Sequence, residues 1–195
     1  MDKLILTDVD GVLLNWEYAF NIWMKRHGYT PKEDSGNIYD IGEKYGLTQE
    51  KKRELVKFFN ESAAIGFLPP LRDAIHYVRE LHVKHGYVFH VLTALSNDHQ
   101  AQELRRQNLE KLFGDTVFEK FIYCDTGADK DEILEPYLGT NLLWIEDKIE
   151  NAELGHILGL DSILMEHGHN MNYKDNHYGI PLMKDWKDVY EYVVG

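Results

Sequence analysis

The chain of 195 residues carries 33 acidic and 21 basic side chains, a formal charge of −12, 44% hydrophobic residues and one cysteine. That length holds one substantial core, or a core with a small accessory unit, and the composition is that of a globular chain rather than a disordered one. The negative charge opposes extended binding to a nucleic-acid backbone, and no apolar run approaches ~18 residues or follows a charged leader, so the expectation is no membrane span and a cytoplasmic location.

The first element is the run Leu4-Ile5-Leu6-Thr7-Asp8-Val9-Asp10-Gly11-Val12, an apolar strand ending in acids and a glycine. Trp16, Phe20, Trp23, Met24 and His27 then share one helical face, with Gly28 where a helix would stop. A second helix runs from Thr48 as cap through Leu55, Phe58 and Phe59, and Pro69-Pro70 opens a third with Leu71, Ala74, Ile75, Val78 and Leu81 inward. Only then does the next strand come, Tyr87 to Leu92. A strand-helix-strand unit needs about 30 residues, so the roughly 50 residues from Trp16 to Leu68 read as an insertion beside the first strand's end.

From there the pattern is regular: a helix from Asn97 to about Phe113, strand 118–123, a short helix over 130–137, strand 141–145, helix 149–158 and strand 162–165. This alternation predicts an α/β, Rossmann-like parallel sheet with helices on both faces. The segment Glu166 to Pro181 reads as loop before a last helix around Trp186 to Val193. Its His167, His169 and His177 lack the helical spacing of a metal site and read as solvated, while Cys124 reads as a small residue at a strand end.

The strand ends carry the chemistry, because ligands collect at the C-terminal edge of such sheets. Alternation along the first strand puts Asp8 and Asp10 on one side, where a cation relieves their repulsion or the two divide labour as nucleophile and acid/base. The bland alternative is a strand-end turn. Thr93 and the N–H of Ala94 end the second strand and suit phosphate oxygens, with helix capping as the alternative role. Lys130 precedes the strand Leu142-Leu143-Trp144-Ile145, which ends in Glu146-Asp147. Two acids directly after an apolar strand must meet water or a cation, and Mg²⁺ suits one or two carboxylates with substrate phosphate oxygens.

The order Asp8-x-Asp10, Thr93, Lys130, Glu146-Asp147 resembles the haloacid dehalogenase superfamily of phosphohydrolases over nearly the whole chain. The resemblance implies that Asp8 attacks phosphorus to give an aspartyl phosphate, and that Asp10 protonates the leaving oxygen and then activates water. It further implies that Thr93 and Lys130 hold the phosphoryl group, and that Mg²⁺ binds Asp8, the Asp10 carbonyl and Asp147. Two aspartates are common at the family's last motif; here Glu146 stands first, leaving its contact with the metal open.

The insertion matches the family's helical cap, dividing the chain into a core of 1–15 with 69–195 and a cap of 16–68. Asp8 through Trp16, the Gly66-Phe67-Leu68-Pro69-Pro70-Leu71 boundary, Ile145-Glu146-Asp147-Lys148 and Trp186-Lys187-Asp188-Val189 are similar to the 5′(3′)-deoxyribonucleotidase group. The function implied is dephosphorylation of nucleoside monophosphates, with Trp16, Phe20, Tyr39, Tyr45 or Phe67 offered to a base by stacking. Helical spacing makes core packing the competing role for Trp16, Phe20 and Trp23. The alternatives are a sugar or other small-metabolite phosphatase, a nucleic-acid-end phosphatase and a phosphate-accepting signalling domain. The partner implied is a small phosphorylated substrate, and the oligomeric state is left open.

Overall fold

In the computed structural model, residues 3–35, 38, 40–173 and 177–195 are described. Six strands form one parallel sheet in the order β3-β2-β1-β4-β5-β6: β1 Leu4–Thr7, β2 Val88–Ala94, β3 Phe118–Cys124, β4 Leu143–Glu146, β5 Asp161–Met165 and β6 Leu182–Met183. The sequence pattern gives the first five. β6 is two residues long, pairing Leu164 with Leu182 and Met165 with Met183, and a pair that short has no periodicity to read.

Alternate residues of β1 feed different layers. Ile5 joins Val91, Ile145 and Ile163 in the larger core, which Ala74, Val78, Leu109, Phe113, Trp186 and Val189 cover. Leu6 joins Leu92 and Trp144 in a second core, covered by Leu134, Tyr137 and Leu160. The first set comes from helices α4 Ala74–His85, α5 His99–Phe113 and α8 Trp186–Val194. In the second, Leu134 and Tyr137 come from α6 Asp131–Leu134 and the turn after it, Leu160 from the link between α7 Ile149–Ile157 and β5, and α7 adds Leu154. Both faces of the sheet are thus apolar and helix-covered, as an all-parallel sheet requires.

Between β1 and β2 the chain forms α1 Trp16–Arg26, α2 Ile41–Tyr45, α3 Gln49–Asn60 and a 3₁₀ turn Ala63–Phe67. Side-chain caps start each helix: Asn15 accepts from the Tyr18 N–H, Asp40 from Glu43 and Thr48 from Lys51. The seam with the sheet layer is made of backbone hydrogen bonds, Asn15 N–H to Pro69 O at 2.8 Å and Leu71 N–H to Leu13 O at 2.8 Å.

That seam moves the third expected helix. Pro70 bridges Leu14 antiparallel and Arg72 has φ +42°, so the helix starts at Ala74 rather than at Pro69-Pro70. Asp73 stands at the start of α4 but gives its carboxylate to the Trp186 and Lys187 N–H groups, tying α8 to the seam. The cap of α5 is Asp98, which accepts from the Ala101 N–H, rather than Asn97. Among the described residues no helix is long and apolar enough to cross a membrane.

Candidate active site

β1 stops at Thr7, and the chain then turns tightly, with the Val12, Leu13 and Leu14 N–H groups all directed at Val9 O. Asp8 remains tied to the sheet through its N–H to Ile145 O at 2.9 Å, while Asp10 lies within the turn. Turn geometry rather than strand alternation therefore places the second acid. Both line one cleft of about 440 Å³, together with Gly11, Ala94, Lys130, Glu146 and Asp147 from the sheet edge and Trp16, Phe20, Asn21 and Lys44 from the helices between β1 and β2.

Lys130 organises the floor. Its ammonium is buried, donates to Asp8 Oδ1 at 2.7 Å and to Glu146 Oε1 at 2.9 Å, and lies 5.1 Å from the centre of the Trp144 ring. Burial alone would depress this amine, but the charges of Asp8 and Glu146 outweigh it, so the amine is held above its ordinary value. Glu146 is fully engaged: it also accepts from Asn151 Nδ2 and from the N–H groups of Asp147 and Lys148. Burial opposes its ionisation, yet Lys130 and these donors hold it below the usual carboxylate range.

The other acids are less satisfied. Burial pushes Asp8 up to about 7, an effect that Lys130 opposes and Glu146 reinforces. Asp147 stands well above the ordinary range, through burial and then the neighbouring charges of Glu146 and Asp8. Oxygens of Asp8, Glu146 and Asp147 lie within 4.8 Å of one another. An all-oxygen set whose acids resist ionising together fits a hard divalent cation such as Mg²⁺.

Gly11 makes room for that set. Its φ is +80°, and a Cβ there would lie 2.3 Å from Asp147 Oδ2 and 2.6 Å from its Cγ. Only glycine permits both the turn and the carboxylate's approach. Above the same pair, His167 Nε2–H donates to Gly11 O at 2.6 Å and His169 Nε2–H to Asp147 O at 3.2 Å, the two rings stacked with centroids 5.6 Å apart. Asn170 adds a bond from Nδ2 to Asp147 O at 2.8 Å. Burial holds both imidazoles below their ordinary value, hence neutral donors. The expectation of solvated histidines is thus corrected for His167 and His169, which line the cleft; His177 is exposed.

The remaining expected residues divide. Thr93 is wholly buried in β2, outside the cleft lining, and its hydroxyl has no hydrogen-bond partner among the described residues. Trp16 lines the cleft, pinned by Nε1–H to Asn60 Oδ1 at 2.9 Å and stacked on Phe20 at 4.7 Å. Phe20 lines it too but is fully buried against Trp16 and Phe59. Tyr45 lies outside the cleft lining, with its hydroxyl donating to Asn21 Oδ1, and Phe67 is 73% exposed on the 3₁₀ turn away from the cleft. Tyr39 lies outside the described residues.

Sequence reasoning missed Arg105. This arginine of α5 is wholly buried and grips Asp10, Nη1 to Oδ1 at 2.8 Å and Nη2 to Oδ2 at 3.3 Å. Burial raises Asp10 above its ordinary value, and Arg105 pulls the other way. The available signal was position: Ala101, Arg105 and Leu109 follow each other at four-residue intervals along one helix face, and the outer two are apolar and buried.

No family model matches the chain. It is 28% identical over 140 residues to an uncharacterized 32.4 kDa protein in the Gp30-rIII intergenic region of Enterobacteria phage T4, an alignment covering 69% of this chain and 49% of that one. The chain thus spans about half the length of this curated relative. Among solved structures it is similar to a haloacid dehalogenase-like hydrolase from Streptococcus pneumoniae, with a TM-score of 0.64, 16% identity and 98% of each chain covered. It is also similar to D,D-heptose 1,7-bisphosphate phosphatase from B. bronchiseptica complexed with magnesium and phosphate, with a TM-score of 0.63, 12% identity and 100% and 98% covered. A third is CbbY from Rhodobacter sphaeroides in complex with phosphate, with a TM-score of 0.58, 16% identity and 95% of each chain covered. The fold is that of the haloacid dehalogenase-like hydrolases.

Proposed function

We propose that the protein is a Mg²⁺-dependent phosphomonoesterase that uses Asp8 as nucleophile and acts on nucleoside monophosphates. The observation that carries this reading is the joint placement of Asp8 and Lys130 at 2.7 Å within a three-carboxylate cluster at the sheet edge. Asp10 opens onto the same cleft.

Asp8, Asp147 and the main-chain carbonyl of Asp10 are the ligands assigned to the metal. Glu146 is assigned to orienting Lys130, since Lys130, Asn151 and two backbone N–H groups occupy its oxygens. Held by these residues, Mg²⁺ would keep the nucleophile ionised and would offset charge on the phosphoryl group. An Asp8 oxygen attacks phosphorus, the bond to the leaving oxygen breaks, and that oxygen takes the proton of Asp10. Water then attacks the aspartyl phosphate, Asp10 takes a proton from it, and the phosphorus–Asp8 bond breaks to release phosphate and restore the Asp8 carboxylate and the Asp10 acid. Lys130, the Ala94 N–H and the unpartnered Thr93 hydroxyl are the donors assigned to the phosphoryl oxygens. Support for Thr93 is that a buried hydroxyl without a partner is costly, and a phosphate oxygen would supply one.

The nucleotide assignment rests on Trp16, whose ring is held rigid at the cleft by Asn60 and Phe20. A pre-positioned aromatic face suits a base at low entropic cost. The heptose bisphosphate phosphatase among the similar structures keeps a sugar phosphate as the second candidate. Phosphate release across nucleoside monophosphates and sugar phosphates tests both. The expected result is hydrolysis with Mg²⁺, loss in EDTA, loss in Asp8→Asn and the highest kcat/KM on a nucleotide; preference for a sugar phosphate would overturn the nucleotide assignment.

A further inference from the structure

Arg105 has no surface exposure and its Nε has no hydrogen-bond partner among the described residues, so its two contacts with Asp10 are what its charge is committed to. Burying a guanidinium is costly, and an apolar side chain of similar volume often serves stability as well. A structural role is therefore a weak explanation for it. The grip comes from behind: Asp10 keeps 24% of its side chain exposed and lines the cleft.

The helix carrying Arg105 is itself anchored. Asp98 caps it, Tyr123 Oη–H donates to Gln102 O at 3.0 Å, and Asn108 Nδ2 donates to Leu68 O at 3.0 Å, where the inserted helices rejoin the core. A two-point contact from a fixed guanidinium removes the carboxylate's rotational freedom, and each oxygen keeps a second lone pair for proton transfer.

We infer that Arg105 is a positioning residue for the acid/base step, orienting Asp10 toward the leaving oxygen. The inference rests on the phosphomonoesterase reading above. If Asp10 delivers the proton, Arg105 matters in proportion to how much the leaving group needs one. Benzyl phosphate leaves as an alkoxide and needs the proton; p-nitrophenyl phosphate leaves as a stabilised phenolate and needs it far less.

The test is single-turnover release of each leaving group with enzyme in excess, for the parent protein, Arg105→Met and Arg105→Lys, alongside melting curves. Arg105→Met is expected to slow benzyl phosphate about 10- to 100-fold and p-nitrophenyl phosphate less than about 3-fold. Substrate affinity should stay unchanged, and Arg105→Lys should recover part of the loss through one remaining contact. Should Arg105→Met not fold, Arg105→Lys carries the same comparison, with a smaller but still leaving-group-dependent loss. Equal losses on both substrates, or a gain on benzyl phosphate, would overturn the inference while leaving the phosphatase reading intact. Release of neither leaving group by the parent protein would overturn both.

Discussion

Replacing Gly11 by alanine probes the metal site without touching a carboxylate. Two costs follow from the geometry. The residue sits at φ +80°, where an L side chain costs about 1–2 kcal/mol, which in a chain of this size lowers Tm by roughly 2–8 °C. The added Cβ would also lie 2.3 Å from Asp147 Oδ2, so that carboxylate must withdraw from Asp8. Displacing a ligand costs at least the ~10- to 100-fold in metal affinity that loss of an outer supporting contact does. At Mg²⁺ about 100 times the parent's Kd, the parent should gain about 2.7 kcal/mol, or roughly 5–11 °C in Tm. A variant bound 100-fold more weakly retains about 0.4 kcal/mol, or roughly 1 °C. Melting curves with EDTA and with Mg²⁺ separate the two effects, because strain lowers both curves and the metal defect removes only the difference between them. An alanine variant that keeps the parent's full Mg²⁺-induced shift would refute the assignment of Asp147 and the role given to Gly11.

Three further outcomes follow. Asp8 stands at about 7 without metal against an ordinary 3.8, so its contribution to metal-free stability is complete below about pH 4 and lost as pH rises through about 7. Mg²⁺ must displace that proton, so its stabilising shift should grow from about pH 5 to about pH 8; calorimetric titration showing a flat affinity over that range contradicts the cause given for the shift. Asp147→Ala should abolish the Mg²⁺ response, whereas Glu146→Gln should keep it and instead lower stability by roughly 1–3 kcal/mol through lost support for buried Lys130; the reverse ranking in melting curves would move the metal onto Glu146. Trp16→Ala should lower kcat/KM on a nucleoside monophosphate by about 10- to 100-fold, and much less on p-nitrophenyl phosphate. Equal losses in a folded variant would make Trp16 core rather than subsite.

The parallel sheet and the placement of Asp8, Glu146 and Asp147 were legible because each lies at or beside a strand end, and strand ends are the best-marked points of an α/β sequence, whereas Lys130, at the start of α6, was marked only by its place in the motif order. What escaped depends on contacts between distant segments. Arg105 reaches Asp10 across 95 positions and His167 reaches Gly11 across 156, and neither distance leaves a periodic trace. The histidine loop carries polar residues because it returns over the site, where its ring N–H groups satisfy carbonyls of Gly11 and Asp147, and the same composition elsewhere is solvated. The aromatic rings between β1 and β2 show the opposite limit: aromatic composition is shared by packing and by recognition, so Trp16 at the cleft and the exposed Phe67 read alike.

The central claim is that Asp8 carries the phosphoryl group. It is tested most directly by acid-quenching Asp10→Asn during reaction with p-nitrophenyl phosphate and Mg²⁺, then locating added mass by peptide mapping. That leaving group departs with little need of a proton, while the second step lacks its base, so the intermediate should accumulate. The account predicts one phosphoryl group on the peptide containing Asp8, absent in Asp8→Asn. Nitrophenolate release with no phosphoryl group on that peptide, or with one on a histidine, would contradict it.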